Sequence, residues 1–176
     1  MIFEIWVDAD SIPESLRKII LKAAVRLGTA AYFVADRELP DVKQFIAEDT
    51  HRIRVEKSDN NLKSAIKMIT VPSGENSADN YIVQNIPETS LCVTHDIPLA
   101  ARLLEKKCYV IDDRGGEYSS ETIKTRLGDR LVNAELRSWG IFTDLQKKST
   151  QKDVKMFADK LDAVSLRISK LPSDKQ

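Results

Sequence analysis

The residues best suited to chemistry in this chain are carboxylates that recur where apolar runs end. Asp8 and Asp10 follow the run Met1 to Val7, which only Glu4 interrupts, Asp96 follows Ser90 to Thr94, and Asp112 with Asp113 follows Cys108 to Ile111. Asp79 stands in the first turn of a helix pattern opened by Ser77-Ala78-Asp79-Asn80. Short apolar runs of this kind read as buried strands, and in open α/β sheets ligands bind beyond the carboxyl ends of the strands. Carboxylates delivered to one such edge would share a pocket. With the chain extended, Asp8 and Asp10 point the same way, and at about 4 Å and an effective dielectric of about 20 they repel by about 4 kcal/mol. A divalent cation is the natural compensation; hard oxygen ligands suit Mg²⁺ or Mn²⁺, which keep waters and substrate phosphates in their coordination shells.

Each acid also has a purely structural reading, since Asp caps helices and is stabilised by the positive end of the helix dipole. Asp96, directly before Ile97-Pro98, reads equally as a cap. His95 adjoins Asp96, but side chains alternate along a strand, so it is expected to point away from it. Arg114-Gly115-Gly116 could hold a phosphate through its guanidinium and open backbone N–H groups, or be a plain turn. Ser11 and Thr94 are candidates to orient a water at the cation, while Ser11 with Glu14 also fits a capping box. Arg137, Lys147, Lys148, Lys152 and Lys155 could form a basic track for a nucleic-acid backbone or simply be solvated helix faces. Arg137 is the preferred member because it precedes Trp139, which reads as buried.

Those residues have to be positioned by a single core. The chain has 176 residues, 42% hydrophobic and 31% charged, enough for one domain. Residues 1–168 read as that domain, and residues 169–176 as a flexible polar tail. The formal net charge is zero, which argues against a protein that coats nucleic acid indiscriminately. Residues 1–100 hold 11 basic and 15 acidic side chains, leaving 16 and 12 of the 27 of each kind for residues 101–176, so the two parts carry −4 and +4. Such an asymmetry suits an acidic metal site beside a phosphate-binding surface. Cys92 and Cys108 fall in apolar runs and read as reduced core residues, and with His51 and His95 they lack zinc-site spacing. No apolar run is long enough to span a membrane, and Glu4, Asp8 and Asp10 interrupt any leader-like core, so a cytoplasmic location is expected. Self-association into a homo-oligomer is left open.

Ser11 to Gly28 carries an apolar stripe through Ile12, Leu16, Ile19, Ile20, Ala23, Ala24 and Leu27, with Pro13 in the first turn and Gly28 as the stop. Ala30 to Ala35 reads as a second buried strand, giving a β-α-β start and a parallel sheet. Between Asp36 and Lys67 the pattern weakens: Val42, Phe45 and Ile46 suggest a short helix, and Arg52-Ile-Arg-Val-Glu alternates like an exposed strand. Further strands are expected over Ile66–Val71, Ser90–Thr94 and Cys108–Ile111. Helices follow from Ser77, from Ile97, over Glu121–Leu127 and Asp129–Trp139 with Gly128 between them, and from about Thr150.

The blocks Val7-Asp8-Ala9-Asp10-Ser11-Ile12-Pro13, Ser77-Ala78-Asp79-Asn80-Tyr81-Ile82, Thr94-His95-Asp96-Ile97-Pro98-Leu99-Ala100 and Arg114-Gly115-Gly116-Glu117-Tyr118 resemble, in order, the motifs of the bacterial YaiI/YqxD family. Members are mostly uncharacterised and are placed with PIN-like nuclease folds. The resemblance spans roughly residues 2–165. It implies a three-layer α/β/α fold with a mostly parallel sheet and an acidic Mg²⁺ or Mn²⁺ site. Two departures stand out: Asp112-Asp113 replaces the family's Asn-Pro, and Thr143-Asp144-Leu145-Gln146 replaces a Thr-Gly-Gly-Pro turn. Residues 37–65 also look longer than is usual in the family, an insertion that would add a flap or a partner surface or be a tolerated surface loop. The leading expectation is a metal-dependent nuclease acting on RNA, with Asp8 as central ligand, Asp79 and Asp96 completing the site, and Asp10 or Asp113 assisting directly or through water. Ser11, Thr94, Arg114 and Arg137 are the candidate substrate contacts. Two alternatives remain: a haloacid-dehalogenase-like phosphatase using Asp8 as nucleophile, and a non-catalytic RNA- or protein-binding module.

Overall fold

The computed structural model describes residues 3–139 and 150–171. In chain order the elements are β1 (Glu4–Asp8), α1 (Glu14–Leu27), β2 (Ala30–Ala35), α2 (Pro40–Lys57), β3 (Ile66–Thr70), α3 (Ser77–Asn85), β4 (Leu91–Val93), α4 (Ile97–Glu105), β5 (Tyr109–Ile111), β6 (Glu117–Tyr118), α5 (Ser120–Ser138) and α6 (Gln151–Ser169). The strands form one sheet in the order β3-β2-β1-β4-β5-β6, parallel except for β6, which pairs antiparallel with β5.

Alternation along the strands splits the core into two layers, because successive side chains point to opposite faces of a sheet. Ile5, Val7, Ala31, Phe33 and Val93 face one side, where Leu16 and Ile20 of α1, Val42 of α2, and Phe157 and Leu161 of α6 cover them. Trp6, Val34, Cys92 and Val110 face the other, under Ile82 of α3, Leu99 and Leu103 of α4, and Ile123 of α5. The architecture is three-layer α/β/α. Cys92 and Cys108 are free and buried, as their apolar surroundings predict. Among the described residues no helix is long and apolar enough to cross a membrane.

Several local expectations are corrected. The capping box expected from Ser11 and Glu14 does not form: α1 starts at Glu14 behind an extended Pro13, with no side-chain cap, and the Ser11 hydroxyl donates to the Asp8 carbonyl at 3.0 Å. Residues 52–56 are helical, not an exposed strand. The alternation misleads because apolar Val55 faces solvent, whereas Arg52 pairs with Asp49 and Glu56 at helical spacing along α2. Segment 37–65 is thus filled by the crossover helix between β2 and β3, seated on the core through Val42, Phe45 and Ile46. Residues 120–138 form one helix instead of two. Gly28 takes a left-handed conformation to stop α1, whereas Gly128 has no positive φ and a Cβ there would meet nothing, so α5 passes through it. Trp139 is 67% exposed, not buried. At the far end, the expected cap is present: Thr150 and Asp153 form the reciprocal box that starts α6. The Thr143–Gln146 stretch that stands in place of the family's turn, the side chains of Lys147 and Lys148, and all but the start of the expected 169–176 tail lie outside the described residues.

Candidate functional site

β1 lies between β2 and β4 in the sheet. The chain leaves β1 through α1 toward one face and enters β4 from α3 on the other, which opens a crevice at the carboxyl ends of β1 and β4. This is the place where open parallel sheets admit ligands. Asp8 is the last residue of β1, and since Val7 faces α1, the Asp8 side chain turns toward the α3 layer. There a cavity of about 210 Å³ is lined by Asp8, Asp10, Asp36 and Asp79 with Gly74, Asn76 and Ser77.

Asp8 is 5% exposed, and Thr94, at the end of β4, donates its hydroxyl to the carboxylate at 2.8 Å. Burial raises the Asp8 pKa against the opposing hydroxyl bonds, and the charges of Asp96 and Asp10 add to the rise. Asp79, in the first turn of α3, is pushed up to about 6, first by burial, then by the charges of Asp8 and Asp96, with Arg102 pulling the other way. The charge of Asp96 therefore reaches both Asp8 and Asp79, and that of Asp8 reaches Asp79.

Asp96 carries the capping role its position suggested: one carboxylate oxygen accepts from the Leu99 N–H at 2.8 Å, and the other lies 3.4 Å from Arg130 of α5. The chain turns after β1 instead of staying extended, yet Asp10 lines the same cavity as Asp8; it accepts from the Asp36 N–H at 2.7 Å and pairs with the Arg37 guanidinium at 3.1 Å. Asp113 is occupied by the His95 ring at 3.0 Å; His95 thus points away from Asp96, as alternation requires. As the side chains stand, no three acidic, histidine or cysteine side chains among the described residues are grouped as ligands of one ion.

The remaining candidates sort by what they touch. Thr94 is fully buried, accepts from the Asp96 N–H at 2.9 Å, and so links two acids from beneath without reaching a substrate. Ser11 accepts from the His95 N–H at 3.3 Å while donating to the Asp8 carbonyl, a second tie across the crevice. The phosphate nest expected at Arg114-Gly115-Gly116 is already filled: the Arg114 and Gly116 N–H groups donate to Asp112 at 2.9 and 2.6 Å. Arg114 itself stands on the β5 side, where its charge acts on Asp113, His95 and Asp153. The Arg137 side chain lies outside the described residues.

Sequence reasoning missed Asp36 and the arginines around the cavity. Asp36 follows the apolar run of β2, so the rule that selected Asp8 selects it too. Arg37, Arg102 and Arg130 had no such signal, because exposed arginines on helices and loops ordinarily mean only solvation.

The family model described as "Uncharacterized BCR, YaiI/YqxD family" matches residues 42–167. The chain belongs to this family. Similar YaiI/YqxD relatives carry the name UPF0178 protein: one from Bordetella petrii is 37% identical over 162 residues, covering 92% of this chain and 95% of the relative. Others, from Aliivibrio salmonicida and Psychromonas ingrahamii, are 35% and 34% identical over 167 and 158 residues, covering 95% and 90% of this chain and 98% and 92% of the relatives. No solved structure matches significantly.

Proposed function

We propose that this YaiI/YqxD protein is a PIN-like, Mg²⁺- or Mn²⁺-dependent hydrolase of phosphodiesters, with RNA as substrate. The observation that carries the reading is that Asp8, Asp10, Asp36 and Asp79 line one cavity at the carboxyl edge of the sheet, where burial disfavours the charged forms of Asp8 and Asp79. Carboxylates concentrated at such a place are a cost to the fold unless a cation joins them. Their oxygen chemistry fits a hard divalent ion. Asp8 and Asp79 would hold it, with Asp96 joining and Asp10 acting at the cavity wall.

When bound, the ion supplies the positive charge that polarises a phosphoryl oxygen and makes a water more acidic. The protein's own part is positional. Thr94 holds Asp8 in one orientation, Ser11 keeps β1 against the β4 loop, and the half-buried Asp79 defines the wall opposite Asp8. No side-chain nucleophile is needed. Asp8→Asn should abolish Mn²⁺-dependent cleavage of single-stranded RNA while the circular-dichroism spectrum stays that of the parent. Cleavage at the parental rate would sink the assignment.

A further inference from the structure

Outside the acidic crevice, the charges that border it come from three separate elements. Arg37, in the loop after β2, meets Asp10 at 3.1 Å and Asp36 at 3.5 Å. Arg102 of α4 donates to Asn80, the neighbour of Asp79, at 2.9 Å, and its charge is felt by Asp79. Arg130 of α5 lies against Asp96 at 3.4 Å. Arg37 and Arg130 are exposed and Arg102 is partly buried, and each contacts a polar side chain near the crevice, while Asp8 sits deeper, held by Thr94.

We infer that Arg37, Arg102 and Arg130 form a phosphate-gripping ring around the acidic crevice and hold the backbone of a single-stranded RNA across it. The inference rests on the hydrolase reading above and names the residues that would bind its substrate. A carboxylate cluster alone repels a phosphodiester, so any polyanion that reaches it needs positive charge close by but not inside. Guanidinium groups suit that task because they form charge-assisted, often bidentate, bonds to phosphate. Each of the three already makes a polar contact in the free protein: Arg130–Asp96, at 3.4 Å, is long for a charge-assisted bond, whereas Arg37–Asp10 and Arg102–Asn80, at 3.1 and 2.9 Å, are of ordinary length. Exchange for a phosphate oxygen therefore gives up little at Arg130, and at Arg37 and Arg102 it replaces an existing contact with a charge-assisted bond. It would also release an oxygen of Asp96 toward the cation, coupling the two ligands. The ring spans three elements, so successive phosphates would be gripped from different sides of the crevice.

The test is fluorescence anisotropy of a labelled, cleavage-resistant phosphorothioate RNA against the full chain in Mn²⁺, titrated over salt. For single strands each lost phosphate contact lowers the slope of log K against log salt by about 0.7. Arg37→Gln, Arg102→Gln and Arg130→Gln should each reduce it by about that much, and Lys at the same positions should restore it. The Mn²⁺-induced rise in melting temperature should persist in all three and grow in Arg130→Gln, where Asp96 is freed. A parental slope in the three Gln variants, with RNA still bound, would overturn the ring and leave the hydrolase reading standing. A parent that neither binds the RNA nor responds to Mn²⁺ would overturn both.

Discussion

Thr94 Oγ1 donates to Asp8 Oδ2 at 2.8 Å while accepting from the Asp96 N–H at 2.9 Å, so one buried hydroxyl fastens the acid that ends β1 to the acid that caps α4. Removing it leaves a buried carboxylate short of a donor, a loss of about 1–3 kcal/mol. Thr94→Val should lower the urea midpoint accordingly and weaken Mn²⁺ binding, whereas Thr94→Ser should keep both near parental. A Thr94→Val protein as stable as the parent would show that the hydroxyl is dispensable.

Asp79 titrates near 6 instead of the ordinary 3.8 because burial and the charges of Asp8 and Asp96 oppose its ionisation. The sign follows from the fold favouring the protonated form. Without metal, the penalty is fully present above about pH 6, shrinks as pH falls, and is gone below the unfolded value near 3.8. Asp79→Asn should therefore raise the metal-free melting temperature at pH 7.5 by about 2–4 °C, taking a penalty of about 1 kcal/mol after screening. At pH 4 the two proteins should melt together, and saturating Mn²⁺ should reverse the order at pH 7.5. Thermal scans at the two pH values decide it.

Arg17 is bonded to both oxygens of Asp41 at 2.9 Å and to the Ile12 carbonyl at 2.7 Å, clamping the loop after β1 to α1 and α2. Burial pushes the Asp41 pKa up, but the Arg17 bonds and charge outweigh it and hold the carboxyl below its ordinary value. The stabilisation it supplies is present at neutral pH and disappears as pH falls through that lowered value. Arg17→Met should cost about 3–5 kcal/mol, since it strands a nearly buried carboxylate. The Arg17→Met, Asp41→Leu pair should recover most of the loss. Chemical denaturation of the three proteins measures this.

Gly115 has φ +81°, and a Cβ there would lie 2.6 Å from the Met156 carbonyl oxygen. Neither the backbone conformation nor the neighbouring helix can yield cheaply. Gly115→Ala should destabilise the fold by more than about 1 kcal/mol. Gly128→Ala, in open space within α5, should instead stabilise it by about 0.5–1 kcal/mol. Opposite signs in paired denaturation curves are the expected result.

The alternation of Ile5-Trp6-Val7 and the stripe of α1 made the layered parallel sheet legible, because burial on both faces leaves a direct mark on residue choice. Asp8, Asp79 and Asp96 were legible for a related reason: parallel strands send their carboxyl ends to one edge, so acids far apart in sequence converge. Asp10 reaches the same cavity as Asp8, but not by an extended chain: its direction depends on the turn after β1, where it contacts Asp36 and Arg37, and such contacts have no sequence period. The Asp112 turn was hidden likewise. Whether a glycine nest awaits a phosphate or a neighbouring carboxylate depends on side-chain reach, and here the chain fills it itself. α2 was masked because the exposed Val55 and half-buried Ile53 alternate with charged residues as on a strand, although the ion pairs of Arg52 run at helical spacing.

The parallel winding that gathers the acids at one edge leaves the other edge with the joints from helix back to strand: Gly28–Thr29, the 58–65 stretch between α2 and β3, and Pro87–Ser90. None of the cavity-lining side chains lies there. The Ser58–Asn61 turn is exposed, so a fluorophore, affinity handle or surface tether placed in it would leave the crevice facing free solution. Immobilised through that turn, the protein would present the acids and their arginine rim outward, ready for direct capture measurements.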